Sequence, residues 1–216
     1  RTGTSGNRII LGFILATGFI SMWLSNTATT MMMFPIALSV IVVMNEHEKP
    51  GPGLRNFSLA LMLVIAYASN IGGMATIIGT PPNVAFIGFI EKKYGYTVQF
   101  FEWMLLCTPL ALILLAALYL VLTRWLFPNR IKSSIETSDF ISREVRALGK
   151  LSLAEKRVLA VFIATATLWI TKDLFNSLQL FKLDDSMIAL AGALALFAIP
   201  SGTWQDNKPK MLLAWE

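Results

Sequence analysis

Ser21-Met22-Trp23-Leu24-Ser25-Asn26-Thr27-Ala28-Thr29-Thr30 forms a polar island inside a 37-residue stretch, Ile9 to Asn45, that contains no charged residue. As one helix that stretch would measure about 55 Å, against about 30 Å for a bilayer core. It must break, and the island is where the polar side chains gather. A break there leaves Ile9–Leu24, 16 residues or about 24 Å, and a second arm of similar length that contains Pro35. Neither arm crosses comfortably. The pattern predicts a re-entrant hairpin over about 9–45, its tip at Ser25-Asn26-Thr27 held inside the membrane.

The rest of the composition agrees with a bilayer setting. Of 216 residues, 55% are hydrophobic and only 14% charged, where a soluble domain carries about 25% charged. Further charge-free runs extend over Phe57–Ile90, Trp103–Thr123, Val158–Thr171 and Ser186–Gln205. Long continuous runs of this kind are unlike the short alternating segments of a β-barrel, so the fold class expected is an all-α polytopic membrane protein. The lone Cys107 excludes a disulfide framework or a Cys-based metal site and is expected to serve packing. A formal charge of +5 does not indicate nucleic acid, because the basic residues lie in loops between the apolar runs. Beginning at Arg1 and ending at Glu216, the chain reads as an excerpt of a longer protein.

Phe57–Ile90, at 34 residues, is also too long for one span, about 51 Å as a helix. Its breakers are Gly72-Gly73 and Gly79-Thr80-Pro81-Pro82-Asn83. Two successive prolines remove two backbone donors and disfavour helix at the residue before them. A discontinuous helix over about 57–90 follows. Irregular backbone at membrane depth persists only where it is buried in protein or lines a cavity, which marks this stretch and the hairpin tip as a candidate site.

The remaining elements are expected as a helix over about 103–127, a cytoplasmic linker over 128–157 with an amphipathic helix around Ile135–Leu151, and helices over about 158–181 and 186–204. Pro200 is a candidate end for the last of these. With a hairpin, its base (Arg8, Lys49, Arg55) falls on the same side as the 124–157 loop and the C-terminal tail. All 18 Lys and Arg residues except Lys92, Lys93, Lys182 and the intraspan Lys172 then share that side. The positive-inside rule makes it cytoplasmic. Trp103, Trp125, Trp169 and Trp204, near span ends, read as interfacial anchors.

At a hairpin tip the two arms present opposite dipole ends. The first arm offers carbonyls that suit a cation, and the second offers free N–H groups that suit an anion. Ser21, four residues before Ser25, is expected on the same helical face, and Gly79-Thr80 to close the other side with bare carbonyls. Ser, Thr and Gly are also ordinary packing residues in membrane helices, and a proline kink can be purely structural. Two broken elements in one chain outweigh that reading. Apart from Lys172-Asp173, the expected spans, taken as the charge-free runs, contain no ionisable acid, base or histidine, and His47 lies in a loop. Proton coupling has poor candidates here, whereas neutral oxygens suit an alkali cation. Lys172-Asp173 reads as a membrane-edge anchor rather than a relay.

The island, followed by Pro35-Ile36-Ala37, together with Ile77-Ile78-Gly79-Thr80-Pro81-Pro82-Asn83, resembles the divalent anion/sodium symporter family of dicarboxylate, citrate and sulfate carriers. Order and spacing match across essentially the whole chain. The resemblance implies a sodium site at Ser21, Ser25, Asn26 and Gly79, and substrate carboxylate contacts from Asn26, Thr27 and Thr80. Pro81, Pro82 and Asn83 would be structural breakers. It further implies a homodimer in a bacterial-type inner or plasma membrane, working by an elevator movement. Residues 1–127 would belong to the moving transport domain and 158–216 to the scaffold.

That family has two inverted repeats, each with a Ser-Asn-Thr motif, and Ser25-Asn26-Thr27 does not recur here. The chain is therefore expected to supply the N-terminal repeat, half of the site, and not to transport alone. The leading expectation is sodium-coupled symport of a di- or tricarboxylate. A sodium-independent dicarboxylate exchanger or a sulfate carrier of the same fold remains open. An intramembrane enzyme is disfavoured because no nucleophile–base pair or metal-ligand constellation is visible, and a non-transporting subunit would have no use for broken helices.

Overall fold

The computed structural model describes residues 5–47, 50–129, 131, 149–177, 183–205 and 208–213. They fall into two compact units, one within Arg1–Ala147 and one within Leu148–Glu216. The first contains α1 (Gly6–Ser21), α2 (Asn26–His47), α3 (Pro52–Gly73), α4 (Pro81–Tyr94) and α5 (Phe100–Leu120), the last continued by a π-helical turn, Val121–Leu126. The second contains α6 (Leu153–Ser177), α7 (Asp185–Ala198) and two short strands, β1 (Pro200–Gln205) and β2 (Lys208–Met211).

Both expected breaks are present. α1 stops at Ser21 and α2 starts at Asn26, while α3 stops at Gly73 and α4 starts at Pro81. The first arm has the expected length, set three residues earlier in the chain, and only the second is longer than expected. α1 has 16 residues and α2 has 22, or about 24 and 33 Å. α2 is longer because helix continues through Glu46 and His47, polar residues that end a charge-free run without ending a helix. Three helical segments among the described residues are long and apolar enough to cross a membrane: Asn26–Glu46, Pro52–Gly73 and Phe100–Leu126.

α3 is the central post of the first unit. Leu54, Phe57, Leu61, Val64, Ala68 and Gly72 recur at three- and four-residue spacing on its buried side, which packs one helix row against α1, α2 and α5. Ile10 and Ile14 of α1 and Met33, Ala37 and Met44 of α2 complete that core. α1 and α3 approach closely where a Cβ on Gly72 would stand 2.2 Å from the Gly18 carbonyl oxygen, the small-residue contact that helices in lipid use to pack. Apolar side chains also cover the outside: Leu106 is 76% and Ile113 66% exposed. Such outward faces are stable only against lipid or more protein.

In the second unit, α6 starts at Leu153, five residues before the expected span, and is described to Ser177. α7 ends at Ala198, short of the expected 204. At 14 residues it is about 21 Å long. Pro200 cannot continue the helix, and 200–205 instead pairs antiparallel with 208–211. The described residues are otherwise mostly helical, in line with the all-α expectation, and this small ladder is an addition to it. Its register is irregular between Pro200 and Trp204, where Gly202 takes φ +90°, a conformation glycine tolerates without strain. The amphipathic helix expected around 135–151 lies, up to residue 148, outside the described residues.

Lys172 pairs with the following helix. Its Nζ lies 2.7 Å from Oδ1 of Asp185 in the first turn of α7. The Trp169 indole N–H donates to the Asp185 carbonyl, and the Asn176 side chain both donates to the Leu183 carbonyl and accepts from its N–H. Lys172 therefore joins two helices.

Candidate functional site

The two breaks meet. The Thr76 hydroxyl donates to the Met22 carbonyl, linking the unwound stretch of the α3–α4 break to the α1–α2 turn. Ser21 Oγ lies 2.7 Å from the Ser69 carbonyl oxygen, and Asn26 Nδ2 lies 3.0 Å from Asn70 Oδ1 and 3.5 Å from Thr80 Oγ1. Four helix ends thus converge. The carbonyl ends of α1 and α3 bring partial negative charge, and the amide ends of α2 and α4 bring partial positive charge.

Between Gly73 and Pro81 the chain leaves the helical ladder, so its carbonyls need other donors. Asn83 Nδ2 donates to the carbonyls of Gly73 and Thr76, at 2.9 and 2.8 Å. From α5, the Trp103 indole N–H donates to the Met74 carbonyl at 3.0 Å, and the Thr108 hydroxyl to that of Ala75 at 3.4 Å. Trp103 was expected as an interfacial anchor; here it also braces the break. Among the described residues no hydrogen-bond donor reaches the carbonyls of Ile78 and Gly79. Of the bare carbonyls expected at Gly79-Thr80, that of Gly79 is open, whereas that of Thr80 accepts the Asn83 N–H at 3.1 Å.

Gly79 is buried and faces Gly73: a Cβ on Gly79 would lie 2.5 Å from the Gly73 carbonyl oxygen. A Cβ on Gly73 would lie 2.2 Å from Asn26 Oδ1 and 3.2 Å from the Gly79 carbonyl oxygen. Two glycines thus leave the space into which an amide oxygen and a free carbonyl oxygen both point. Ser21, fully buried, brings a third oxygen 2.9 Å from Asn26 Oδ1. Its single proton has two acceptors, Asn26 Oδ1 and the Ser69 carbonyl. When Ser69 takes it, the Ser21 and Asn26 oxygens face each other with lone pairs alone. A small hard cation relieves that opposition, and oxygen atoms are the ligands such cations take.

Of the residues singled out in the sequence, Ser21, Asn26, Gly79 and Thr80 are brought together. Ser25 is placed differently. Because α1 ends at Ser21, the two serines do not share a helical face; Ser25 Oγ instead accepts the Ala28 N–H at 3.3 Å, capping the first turn of α2. Thr27 is exposed at that same turn. Pro81 and Pro82 occupy the first two positions of α4, where a missing N–H costs nothing. The next amide, Asn83 N–H, is taken by the Thr80 carbonyl. The start of α2 is therefore the end with amides to offer an anion. Asn83, expected as a breaker, is a buried staple across the break.

Ser69, Asn70 and Thr76 were not foreseen. Thr30 Oγ1 donates to the Asn26 carbonyl at 2.8 Å and lies 3.0 Å from Ser69 Oγ, so Ser69 holds the start of α2 as well as Ser21. The available signal was the Ser69-Asn70 pair, one residue ahead of Gly72-Gly73 in the charge-free run Phe57–Ile90.

The family described as the sodium:sulfate symporter transmembrane region matches residues 2–216. Among curated proteins, the sodium-dependent dicarboxylate transporter SdcS of Staphylococcus saprophyticus is 37% identical over 219 residues, covering 99% of this chain and 42% of that protein. SdcS of Staphylococcus aureus strain USA300 is 33% identical over the same coverage. The chain thus spans less than half the length of these relatives.

Proposed function

The chain belongs to the sodium:sulfate symporter family, and on that premise we propose that it forms one half of a secondary active transporter that moves a di- or tricarboxylate, such as succinate, malate or citrate, together with sodium. The observation that carries this reading is the convergence of Ser21 Oγ, Asn26 Oδ1 and the free Gly79 carbonyl over Gly73. These neutral oxygens hold sodium, and the Ser25 hydroxyl at the turn joins them when the ion is present. The substrate carboxylate then binds beside the ion, at the start of α2, through Asn26, Thr27 and Thr80. Bound sodium and the α2 amides offset its charge, which explains how the site manages without an arginine.

In this reading α1 and α2 form a re-entrant hairpin whose base, with the 124–157 loop, is cytoplasmic. The segment 1–127 belongs to the part that moves in an elevator-type cycle, and 158–216 to the scaffold. The complete protein is an inner-membrane homodimer with a second, inverted repeat that finishes the site. Sulfate is the alternative substrate, favoured by the family's own description.

Uptake of labelled succinate into proteoliposomes containing the complete protein tests the proposal. Uptake should require an inward sodium gradient and be lost in Asn26→Ala. Uptake unchanged when potassium replaces sodium would remove the symport reading, and uptake of sulfate in place of succinate would reassign the substrate.

A further inference from the structure

Resting on the sodium site proposed above, we propose that Asn70 is a positioning residue that sets sodium affinity by determining which end of the Asn26 amide faces the ion. The two ends of an asparagine amide have nearly the same shape and opposite hydrogen-bonding character, so their assignment follows from the partners. Here the chain of partners starts from a group with no freedom. The Ala66 carbonyl can only accept, so the Asn70 atom 2.7 Å from it is Nδ2. That turns Asn70 Oδ1 toward α2, where an Asn26 atom lies 3.0 Å away, and only Nδ2 of Asn26 can satisfy it. Asn26 Oδ1 is thereby left facing Ser21 and the space over Gly73.

Thr80 Oγ1, at 3.5 Å from the same nitrogen, cannot make this choice, because a hydroxyl both donates and accepts. Ser21, also a hydroxyl, cannot make it either. Without Asn70 the Asn26 amide is free to reverse, presenting two N–H groups to the cradle and repelling a cation. Asn70 spends its own oxygen on Asn26 and so acts through that residue. It is exposed, so replacing it opens no hole in the core.

The test is thermal unfolding of the complete protein in detergent, as a function of sodium chloride with choline chloride holding ionic strength constant. Wild type should gain stability as sodium saturates the site. Asn70→Leu, and Asn70→Ala measured beside it, should need about tenfold more sodium for half of that gain, with little change in the melting temperature at zero sodium. Preference for sodium over lithium should narrow in both. Asn70→Asp, which keeps an acceptor for Asn26 Nδ2, should stay within about threefold of wild type. Wild-type half-saturation in the Leu and Ala variants, or an equal loss in Asn70→Asp, would overturn the assignment while leaving the sodium site standing. A wild-type protein whose melting does not respond to sodium would instead overturn the site itself.

Discussion

Asn83 Nδ2 donates to the Gly73 carbonyl at 2.9 Å, across seven residues of non-helical backbone. Its second hydrogen goes to the Thr76 carbonyl at 2.8 Å, so one side chain at the start of α4 closes the open end of α3. The unwound stretch is consequently a fixed shape held by a buried amide, with Trp103 and Thr108 bracing it from α5. Such a fixed shape allows Gly79 to present its carbonyl at a constant place above Gly73.

Replacing Asn83 should therefore cost stability. Asn83→Leu leaves two buried carbonyls without a donor, at about 1–3 kcal/mol each. Asn83→Asp should resemble it, because a carboxylate has no hydrogen to give to either carbonyl. Thermal unfolding of the complete protein in detergent should show both variants well below wild type. Wild-type stability in Asn83→Asp would mean that another group holds the break.

The glycines of the first unit should separate sharply by position. Gly73→Ala places a methyl 2.2 Å from Asn26 Oδ1, whereas Gly88→Ala meets nothing within 4 Å. The first should abolish stabilisation by sodium. The second should be neutral or gain up to about 1 kcal/mol, since alanine is the better helix former. Sodium titrations of melting temperature on the two variants provide the comparison.

Much of this arrangement was legible in the sequence, and the reason is local. The α1–α2 turn and the break in α3–α4 are written in residues that act on their own backbone: Ser25 as a cap, Pro81 and Pro82 as missing donors, Gly73 and Gly79 as missing side chains. Ser69, Asn70 and Thr76 were hidden because their roles depend on partners 39 to 54 residues away, and nothing in local spacing encodes such a pairing. The length of α2 was misjudged because loss of hydrophobicity at Asn45 does not end a helix. The strand pair was missed because an apolar run followed by proline does not reveal what the chain does after the proline.

Acidity should leave the sodium site untouched. In the proposed site Ser21, Ser25, Asn26 and Gly79 supply neutral oxygens, and neither they nor Asn70 and Thr80 beside them titrate in the ordinary range. The sodium concentration giving half of the thermal stabilisation should be the same at about pH 6 and about pH 8, an interval in which an ordinary histidine changes charge. A tenfold dependence would place a titrating group within the site.

Lys172 and Asp185 should matter little to transport. Asp185 is 40% exposed, and solvent screens such a pair, so a double-mutant cycle with Lys172→Met and Asp185→Asn should give a coupling of at most about 1 kcal/mol. Sodium-driven succinate uptake should persist in Lys172→Met. Loss of uptake with normal folding would make this pair part of a charge relay.

The most direct measurement is the reactivity of a cysteine at position 27, in the complete protein with Cys107 and any other cysteine replaced. If the tip of the α1–α2 turn lies within the membrane beside a sodium and carboxylate site, Thr27→Cys should react with a membrane-impermeant thiol reagent more slowly in sodium plus succinate than in potassium alone. A reaction rate that matches a cysteine in bulk water, unchanged by sodium or succinate, would contradict it.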